Sequence, residues 1–186
     1  MDIVEQIEAF SPTCEQEERE KPWILEFLRQ NEDAFSRCNE TAHMTASAWV
    51  ISPDRTKVAM CYHNLYQSWS WCGGHADGEK DLLAVAVREV KEETGLMTYP
   101  LHSGICSLEI LPVQGHVKHG RWVPSHLHMN VTYLLQAEGN DLRVKQDENS
   151  AVAWMSPEEA LKKSSEPWMV ERIYTKLVRA AKPYMK

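Results

Sequence analysis

The amino-acid sequence predicts a mixed α/β fold in one domain, preceded by a helical N-terminal extension. From residue 43 onward, short strand-like segments alternate with turn residues. A glycine-rich turn at residues 73–80, followed by a helix that ends at Gly95, interrupts them, and the C-terminus is again helical. With 186 residues, of which 43% are hydrophobic, the chain suits one globular domain with an addition. We therefore place the extension at residues 1–42 and the α/β domain at residues 43–186.

The composition and the charge pattern indicate a cytoplasmic protein that binds neither duplex nucleic acid nor a membrane. The five cysteines are never spaced Cys-x-x-Cys, which favours reduced thiols over a disulfide framework or a zinc ribbon. No apolar run reaches the roughly 20 residues that span a bilayer, and the N-terminus does not resemble a signal peptide. Residues 1–40 hold 11 acidic and 4 basic side chains and account for the net charge of −7. Without a basic patch, duplex nucleic acid is excluded as the main partner, but a small polyanion screened by metal ions is compatible.

The N-terminal extension is predicted to be helical. Thr13, followed three residues later by Gln16, resembles a capping box. Apolar residues then repeat at helical spacing: Trp23, Ile24, Phe27 and Leu28. Three roles remain open for this region, which are a packing arm over the core, a wall of the substrate pocket and a homodimer interface.

The first strands form a predicted hairpin, with strands at 43–51 and 57–62 around the turn Ser52-Pro53-Asp54. A further strand at 68–72 carries Trp69 and Trp71 on one face. Such a pair is consistent with core packing and with stacking on a substrate.

The glycine-rich turn and the helix that follows it, which ends at Gly95, carry the most specific pattern in the chain. Gly95 stands where a helix ends in a left-handed residue. An apolar stripe faces the core, and it consists of Leu83, Ala86, Val87 and Val90. Glu89, Glu92 and Glu93 cluster beside it, and like charges at this spacing repel by roughly 0.2–0.5 kcal/mol per pair. A divalent cation would offset that repulsion.

The C-terminal half is predicted to return to strands and then to helices. Strands are expected at 107–113, 125–135 and 151–155, with a basic, glycine-bounded loop at 114–121. On the strand at 125–135, alternate residues share one face: His126, His128, Asn130 and Thr132. Ser156-Pro157-Glu158-Glu159 predicts a capped helix. A second helix after Ser165 is expected to bury apolar residues, namely Met169, Val170, Ile173, Tyr174 and Leu177.

The stretch from Gly74 to Leu96 resembles the Nudix box. That pattern is glycine, five residues, glutamate, seven residues, Arg-Glu, an aliphatic residue, any residue, Glu-Glu, any residue, glycine and an aliphatic residue. The matching positions are Gly74, Arg88, Glu89, Val90, Glu92, Glu93, Gly95 and Leu96. The strand order extends the similarity from about residue 43 to the C-terminus, and the chain is identified as a member of the Nudix (MutT-like) hydrolase family. The resemblance implies a Nudix α/β/α sandwich with a mixed sheet, whose loop-helix-loop binds Mg²⁺ or Mn²⁺.

The resemblance also implies a pyrophosphohydrolase that cleaves a nucleoside diphosphate linked to another group, by attack of water on phosphorus. The implied metal-binding residues are Glu89, Glu92, Glu93 and Gly74. Arg88 is expected to orient a box glutamate rather than to touch the substrate. The catalytic base is either a box glutamate, Glu89 or Glu92, or the later-loop residue Glu148, which a simple turn carboxylate would equally explain.

One position departs from the box, because its first glutamate falls on Lys80, with Glu79 one residue earlier. A charged lysine cannot bind the metal, so either one ligand is missing or Glu79 replaces it. His75 directly follows Gly74, and its side chain is expected either near the metal loop or in a structural role.

The residues expected to select the substrate lie outside the box. Lys118 and Arg121 could meet phosphate oxygens, and Trp122 could stack on a base, although a solvated hairpin tip explains them equally well. His126 and His128 could form part of a pocket wall. A zinc site is not expected there, because no third ligand accompanies the pair at a suitable spacing.

Two other functions are compatible with the pattern. A non-catalytic nucleotide-binding or regulatory module on the same scaffold is suggested by Lys80 and by the extra helices. Isomerase chemistry of the isopentenyl-diphosphate type is disfavoured, because Cys72-Gly73-Gly74-His75 keeps the glycines of the hydrolases.

Overall fold

A mixed β-sheet forms the centre of the molecule, in a computed structural model that describes residues 1–118, 120–145 and 149–186. Its eight strands within those ranges are β1 (Ala42–Ile51), β2 (Val58–His63), β3 (Ser68–Ser70), β4 (Cys72–His75), β5 (Thr98–Pro100), β6 (Ser107–Val113), β9 (His126–Ala137) and β10 (Asn149–Met155). A separate hairpin consists of β7 (His116–Lys118) and β8 (Arg121–Val123). The main order is β10-β2-β1-β9-β5, with β3 on β2, β4 on β1 and β6 on β9. The central pair, β1 and β9, is parallel, and the other described pairs are antiparallel.

Helices cover both faces of this sheet. They are α1 (Ile3–Ala9), α2 (Glu15–Gln30), α3 (Leu82–Thr94), α4 (Pro157–Lys163) and α5 (Thr175–Ala181), the last preceded by a π-helical segment (Met169–Tyr174) and followed by a 3-10 turn (Lys182–Tyr184). Alternate residues of β1 face opposite layers, so that Met44 packs with α1 to α3 while Trp49 packs with the C-terminal helices. The predicted α/β/α sandwich with a mixed sheet and N-terminal helices is confirmed. In the described ranges, no helix combines the length and the apolar character that crossing a bilayer requires.

The start of α2 differs from the prediction. Its N-cap is Cys14, which makes no side-chain capping bond. Thr13 instead donates from its backbone nitrogen and from Oγ1 to Glu17 Oε2, at 2.7 and 2.9 Å. The predicted capping box of Thr13 with Gln16 is therefore wrong. Trp23, which the helical spacing placed with the apolar residues, is 72% exposed, whereas Ile24 is fully buried.

The edge strand β6 is covered by α2. Gln16 Nε2 donates to the Leu108 carbonyl at 3.1 Å, and Glu20 Oε2 accepts from the Ile110 amide at 2.7 Å. These two side chains bond to backbone groups that a further strand would otherwise satisfy. The extension therefore packs as an integral layer of the fold, which supports the packing-arm interpretation.

A buried ion-pair network fixes α2 to α5. Lys176 Nζ lies 2.9 Å from Glu17 Oε1 and 3.2 Å from Glu109 Oε1, and both carboxylates are fully buried. Burial lowers the pKa of Lys176, but Glu109 and Glu17 raise it by more, so its pKa lies above the usual value. The network joins residues from the beginning, the middle and the end of the chain.

Local capping residues define the two ends of α3, but its buried face is rotated about the helix axis relative to the predicted apolar stripe. Asp81 caps it by accepting from the Ala84 amide at 3.1 Å, and Gly95 adopts the predicted left-handed conformation with φ 74°. The buried side chains are Leu82, Val85, Ala86, Val90, Glu93 and Thr94. The predicted stripe included Leu83 and Val87, which are only partly buried. The buried face includes Glu93, whose carboxylate accepts hydrogen bonds inside the fold.

The remaining elements differ from the prediction mainly at their ends. The predicted strand at 68–72 is interrupted at Trp71, which packs edge to face on Tyr174 with centroids 5.6 Å apart. Trp69 contacts Tyr62 in the same manner at 5.5 Å. Both tryptophans thus serve core packing. The Ser156 capping box is present as predicted, whereas the π-helical turn before α5 was not predicted.

Candidate functional site

The glycines of β4 allow α3 to approach the sheet closely. β4 pairs with β1, with Gly74 opposite Ala46. A Cβ built at Gly74 would lie 2.5 Å from Cδ and Oε2 of Glu89. A Cβ at Gly73 would lie 2.5 Å from Ser47 Oγ on the neighbouring strand. Only residues without side chains fit these positions, and the Glu89 carboxylate consequently lies directly on Gly74.

Arg88 fixes the position of the Glu89 carboxylate. Its Nη2 donates to Glu89 Oε1 at 2.9 Å and to the His75 carbonyl at 3.2 Å. Its Nε lies 3.8 Å from Glu92 Oε1. Burial raises the pKa of Glu89, and the hydrogen bond from Arg88 opposes that rise. Arg88 therefore ties two glutamates of α3 to the end of β4.

Glu93 is enclosed between β4 and β10. Its side chain is 4% exposed, and Oε2 accepts from the Gly73 amide at 3.0 Å while Oε1 accepts from Asn149 Nδ2 at 2.9 Å. Within the part of the chain that the structure describes, Asn149 Oδ1 is buried without a hydrogen-bond partner.

The hydrogen bond with Cys61, followed by burial, raises the pKa of the nearby Cys72 thiol well above its usual value.

Glu92 is the most accessible of the three glutamates. Its side chain is 45% exposed, and Oε2 lies 3.1 Å from Lys145 Nζ. The sequence pattern did not indicate Lys145, because the contact spans 53 positions along the chain. Lys145, which precedes β10, and Asn149, the first residue of β10, thus each contact one of the glutamates of α3. Glu148, the predicted alternative base, lies outside the described residues.

Carboxylate oxygens are the ligands that a hard divalent cation would take, together with water and substrate oxygens. Among the described residues, Glu89, Glu92 and Glu93 do not form a group whose ligand atoms all lie within 4.8 Å of one another. Mg²⁺ does not require such a group, since it keeps several waters and uses one or two carboxylates together with substrate phosphates. Glu89, desolvated on Gly74, and the exposed Glu92 are suited to this role.

The sequence departs from the Nudix box at Lys80, which lies just before α3 and at the opposite end of that helix from the glutamates. Glu79 Oε1 accepts from the Asp81 amide at 2.8 Å and so serves the start of the helix. Lys80 is exposed and lines a cleft against α1. Leu82 and Glu92 are ten residues apart on the helix, which corresponds to about 15 Å. Lys80 is therefore placed away from the glutamates of the last turns.

The predicted substrate loop forms the β7–β8 hairpin. Lys118 pairs with Arg121 across it, and Trp122 is 68% exposed with its ring against Gly115. Burial is the main cause of the lowered pKa of His75, and the positive charge of Lys118 adds to it. Lys118 thus belongs to the surroundings of β4, while Arg121 and Trp122 are solvent-facing.

Two further histidines lie beside the predicted pair of His126 and His128. We call the four residues the histidine cluster, and its members are His43, His75, His126 and His128. Burial, followed by the charge of Arg37, lowers the pKa of His75 to about 3. Burial, followed by the neighbouring rings, lowers the pKa of His128 to about 2. These two rings are therefore neutral near pH 7.

Comparison with known proteins identifies the family. A family model described as the NUDIX domain matches residues 41–176. The chain therefore belongs to the NUDIX domain family, and the predicted Nudix membership and hydrolase class are confirmed. No curated protein matches the chain.

Solved structures with the same fold are distant in sequence. A NUDIX-family hydrolase from Clostridium perfringens is 21% identical with a TM-score of 0.54, over 76% of this chain and 97% of that one. An Ap4A hydrolase from C. elegans is 17% identical with a TM-score of 0.54, over 73% and 95%. An ADP-ribose pyrophosphatase from Streptococcus suis is 16% identical with a TM-score of 0.52, over 77% and 92%. At these identities the likeness shows the fold alone.

Proposed function

We propose that this protein is a Mg²⁺- or Mn²⁺-dependent pyrophosphohydrolase acting on a nucleoside diphosphate linked to another group. The observation that supports this most is the position of Glu89, whose partly desolvated carboxylate lies on Gly74 and is held there by Arg88. The names of two similar structures, an Ap4A hydrolase and an ADP-ribose pyrophosphatase, indicate substrates of the same phosphoric anhydride class.

Residues of the candidate site can be assigned to separate roles in the attack of water on phosphorus. Glu89 and Glu92, with Glu93 and the Gly74 backbone beside them, are suited to hold the cation. A divalent cation bound there would neutralise the diphosphate and lower the pKa of an attacking water. The base would be Glu89 or Glu92, with Glu148 as the alternative.

One lysine beside the glutamates and three residues of the β7–β8 hairpin are proposed to bind the substrate. Lys145, which already contacts Glu92, and Lys118, near β4, would meet phosphate oxygens. Arg121 and Trp122 would contact the more distant part of the substrate.

The free state of the cysteines supports the proposed cytoplasmic location.

A substrate panel tests this function. The purified protein is assayed with Mg²⁺ or Mn²⁺ against ADP-ribose, dinucleoside polyphosphates, nucleoside triphosphates and nucleotide sugars. We expect turnover of at least one compound and a loss of about 100-fold or more in kcat/KM for Glu89→Gln and for Glu92→Gln. The exposed Glu158→Gln on α4 is the matched control and should retain full activity.

The alternative is a non-catalytic nucleotide-binding module, for which Lys80 is the motivating observation. Tight nucleotide binding without turnover, on every substrate and with both metals, would favour that module and contradict the hydrolase.

A further inference from the structure

The register of three neighbouring strands gathers the histidine cluster on one face of the sheet. In the parallel β1–β9 pair, His43 lies opposite His128. In the antiparallel β1–β4 pair, Thr45 lies opposite His75. His43 and Thr45 are two residues apart on β1, as His126 and His128 are on β9, and such residues point to the same face. The four imidazoles therefore come from three strands and face one volume.

The rings are close enough to share one ion. Five of their pairs have centroids between 4.9 and 5.1 Å apart, and one ring nitrogen from each histidine lies within 4.8 Å of the others. Nε2 of His126 and Nε2 of His128 lie 3.1 Å apart, within hydrogen-bond distance of each other. Two nitrogens bound at about 2.05 Å to a tetrahedral ion lie about 3.3 Å apart. Only small adjustments would be needed for these two rings to bind one metal.

Hydrogen bonds to groups outside the cluster orient two of the rings. Nδ1 of His43 lies 3.0 Å from the Asn39 carbonyl, and Nδ1 of His126 lies 2.8 Å from the Pro124 carbonyl. Because a carbonyl oxygen only accepts, Nδ1 is the donor in both contacts, which leaves Nε2 as the nitrogen that each ring offers to an ion. This is the outer hydrogen bond that metal-ligating histidines commonly make.

An unpartnered atom gives an independent indication of a ligand. His43 is 4% exposed, and within the described ranges its Nε2 is buried with no hydrogen-bond partner. A buried acceptor without a partner costs free energy, and a bound cation would satisfy it. His75 and His128 are partly exposed, which leaves an entry path for an ion.

We propose that the histidine cluster binds one divalent transition-metal ion of the Zn²⁺ class. Imidazole nitrogens suit Zn²⁺, Cu²⁺, Ni²⁺ and Fe²⁺, whereas Mg²⁺ prefers oxygen ligands. The site is separate from the glutamates, because the Cβ side of Gly74 faces Glu89 and the next residue, His75, faces the opposite side of β4. A bound ion would cross-link β1, β4 and β9 and hold the glycine end of β4. This proposal stands independently of the proposed hydrolase activity.

Metal titration of the whole chain tests the site. The protein is stripped with EDTA and titrated with Zn²⁺ by calorimetry and with Co²⁺ by visible absorption, with Mg²⁺ in excess. We expect one Zn²⁺ per chain, intense visible Co²⁺ bands typical of four-coordinate nitrogen ligation, and a rise in Tm of about 5 °C or more on Zn²⁺ binding.

Matched variants locate the bound ion. His126→Gln/His128→Gln should weaken Zn²⁺ binding by about 100-fold or more, since it removes two ligands. His116→Gln, in the β7–β8 hairpin, and Glu89→Gln, in the glutamate site, should bind Zn²⁺ as the wild type does. If the double variant does not fold, the single variant His126→Gln and the wild-type Co²⁺ spectrum decide the question.

Three results would overturn the proposal. The first is no stoichiometric binding of Zn²⁺ or Co²⁺ by the wild-type chain. The second is unchanged binding in the folded histidine variants, which would leave the cluster as packed neutral imidazoles. The third is loss of binding in Glu89→Gln alone, or weak six-coordinate Co²⁺ bands in the wild type, which would place the ion at the glutamates.

Discussion

Gly74 shows how a single residue determines the geometry of the candidate active site. Its missing side chain is the space in which the Glu89 carboxylate lies, and Arg88 holds the carboxylate there. The Nudix box includes both Gly74 and Glu89 at a fixed spacing, so the sequence pattern already relates these two residues. The distance that explains it, 2.5 Å from a built Cβ to Glu89 Cδ, is visible only in the folded chain.

Gly74→Ala is predicted to lower kcat/KM by about tenfold or more, because a displacement near 1 Å at a reacting centre can cost about 100-fold. Steady-state kinetics on the substrate found in the panel measures this effect. Gly139→Ala is the control, since its Cβ would meet open space. Equal kinetics for Gly74→Ala and the wild type would show that the position of Glu89 does not limit the reaction.

At the scale of elements, α2 and α5 are held together by charges that the apolar pattern does not reveal. Lys176 is the cation between two fully buried carboxylates, Glu17 from α2 and Glu109 from β6. A charge buried without its partner destabilises a fold strongly, whereas a completed pair contributes little net stability. The network therefore makes the packing of α2 dependent on its charge balance.

Lys176→Met is predicted to lower the free energy of unfolding by about 3–5 kcal/mol, because it leaves two carboxylates buried without a cation. Denaturant unfolding followed by circular dichroism measures the change. Lys182→Met, at an exposed position near the C-terminus, is the control. Adding Glu109→Gln to Lys176→Met should recover part of the loss, and no recovery would argue against the electrostatic cause.

Glu20 on α2 is predicted to make the stability of the protein depend on pH. Burial raises the pKa of Glu20 above its usual value of 4.5, and the amide of Ile110 opposes that rise. A carboxyl group with a raised folded pKa costs stability above that pKa, and the cost disappears as the pH falls toward the unfolded value. Glu20→Gln keeps an acceptor for Ile110 and removes the charge.

We therefore expect Glu20→Gln to be more stable than the wild type at pH 7. The difference should shrink as the pH falls through the folded pKa toward 4.5. Unfolding curves across this pH range provide the measurement, with the exposed Glu18→Gln as a control. A difference that stays constant with pH would show that the side-chain charge is not its source.

At the scale of the whole molecule, the N-terminal helices and the Nudix domain share one core. Ile7 and Ile24 are fully buried in the same hydrophobic cluster as Met44 of β1 and Val90 of α3. The division into residues 1–42 and 43–186 thus describes the sequence pattern, while the packing is continuous across it. A homodimer contact through the extension stays a prediction.

A chain lacking residues 1–41 is predicted not to fold stably. It would lose the buried isoleucines, the cover of β6 and the Glu17 partner of Lys176. Circular dichroism and thermal unfolding of the truncated chain measure this. A cooperative transition with a Tm within about 5 °C of the full chain would contradict it, because that shift corresponds to only about 2 kcal/mol at this size.

The sequence alone was sufficient to predict the features that short-range interactions control. Gly95 ends α3 and Ser156 caps α4 because the groups that satisfy those helix ends are local to them. The box glutamates were recognisable because one helix supplies all of them at fixed spacing. Family, fold class and the positions of most strands followed from such patterns.

Only the tertiary structure decided which distant residues meet. The histidine cluster, the Lys145 contact to Glu92 and the Glu17–Lys176 pair join segments that are far apart in the chain. Their formation depends on strand order and register, and a shift of one residue would turn His43 or His128 to the other face of the sheet. That register is set by the packing of the whole core, so no local pattern in the chain contains it.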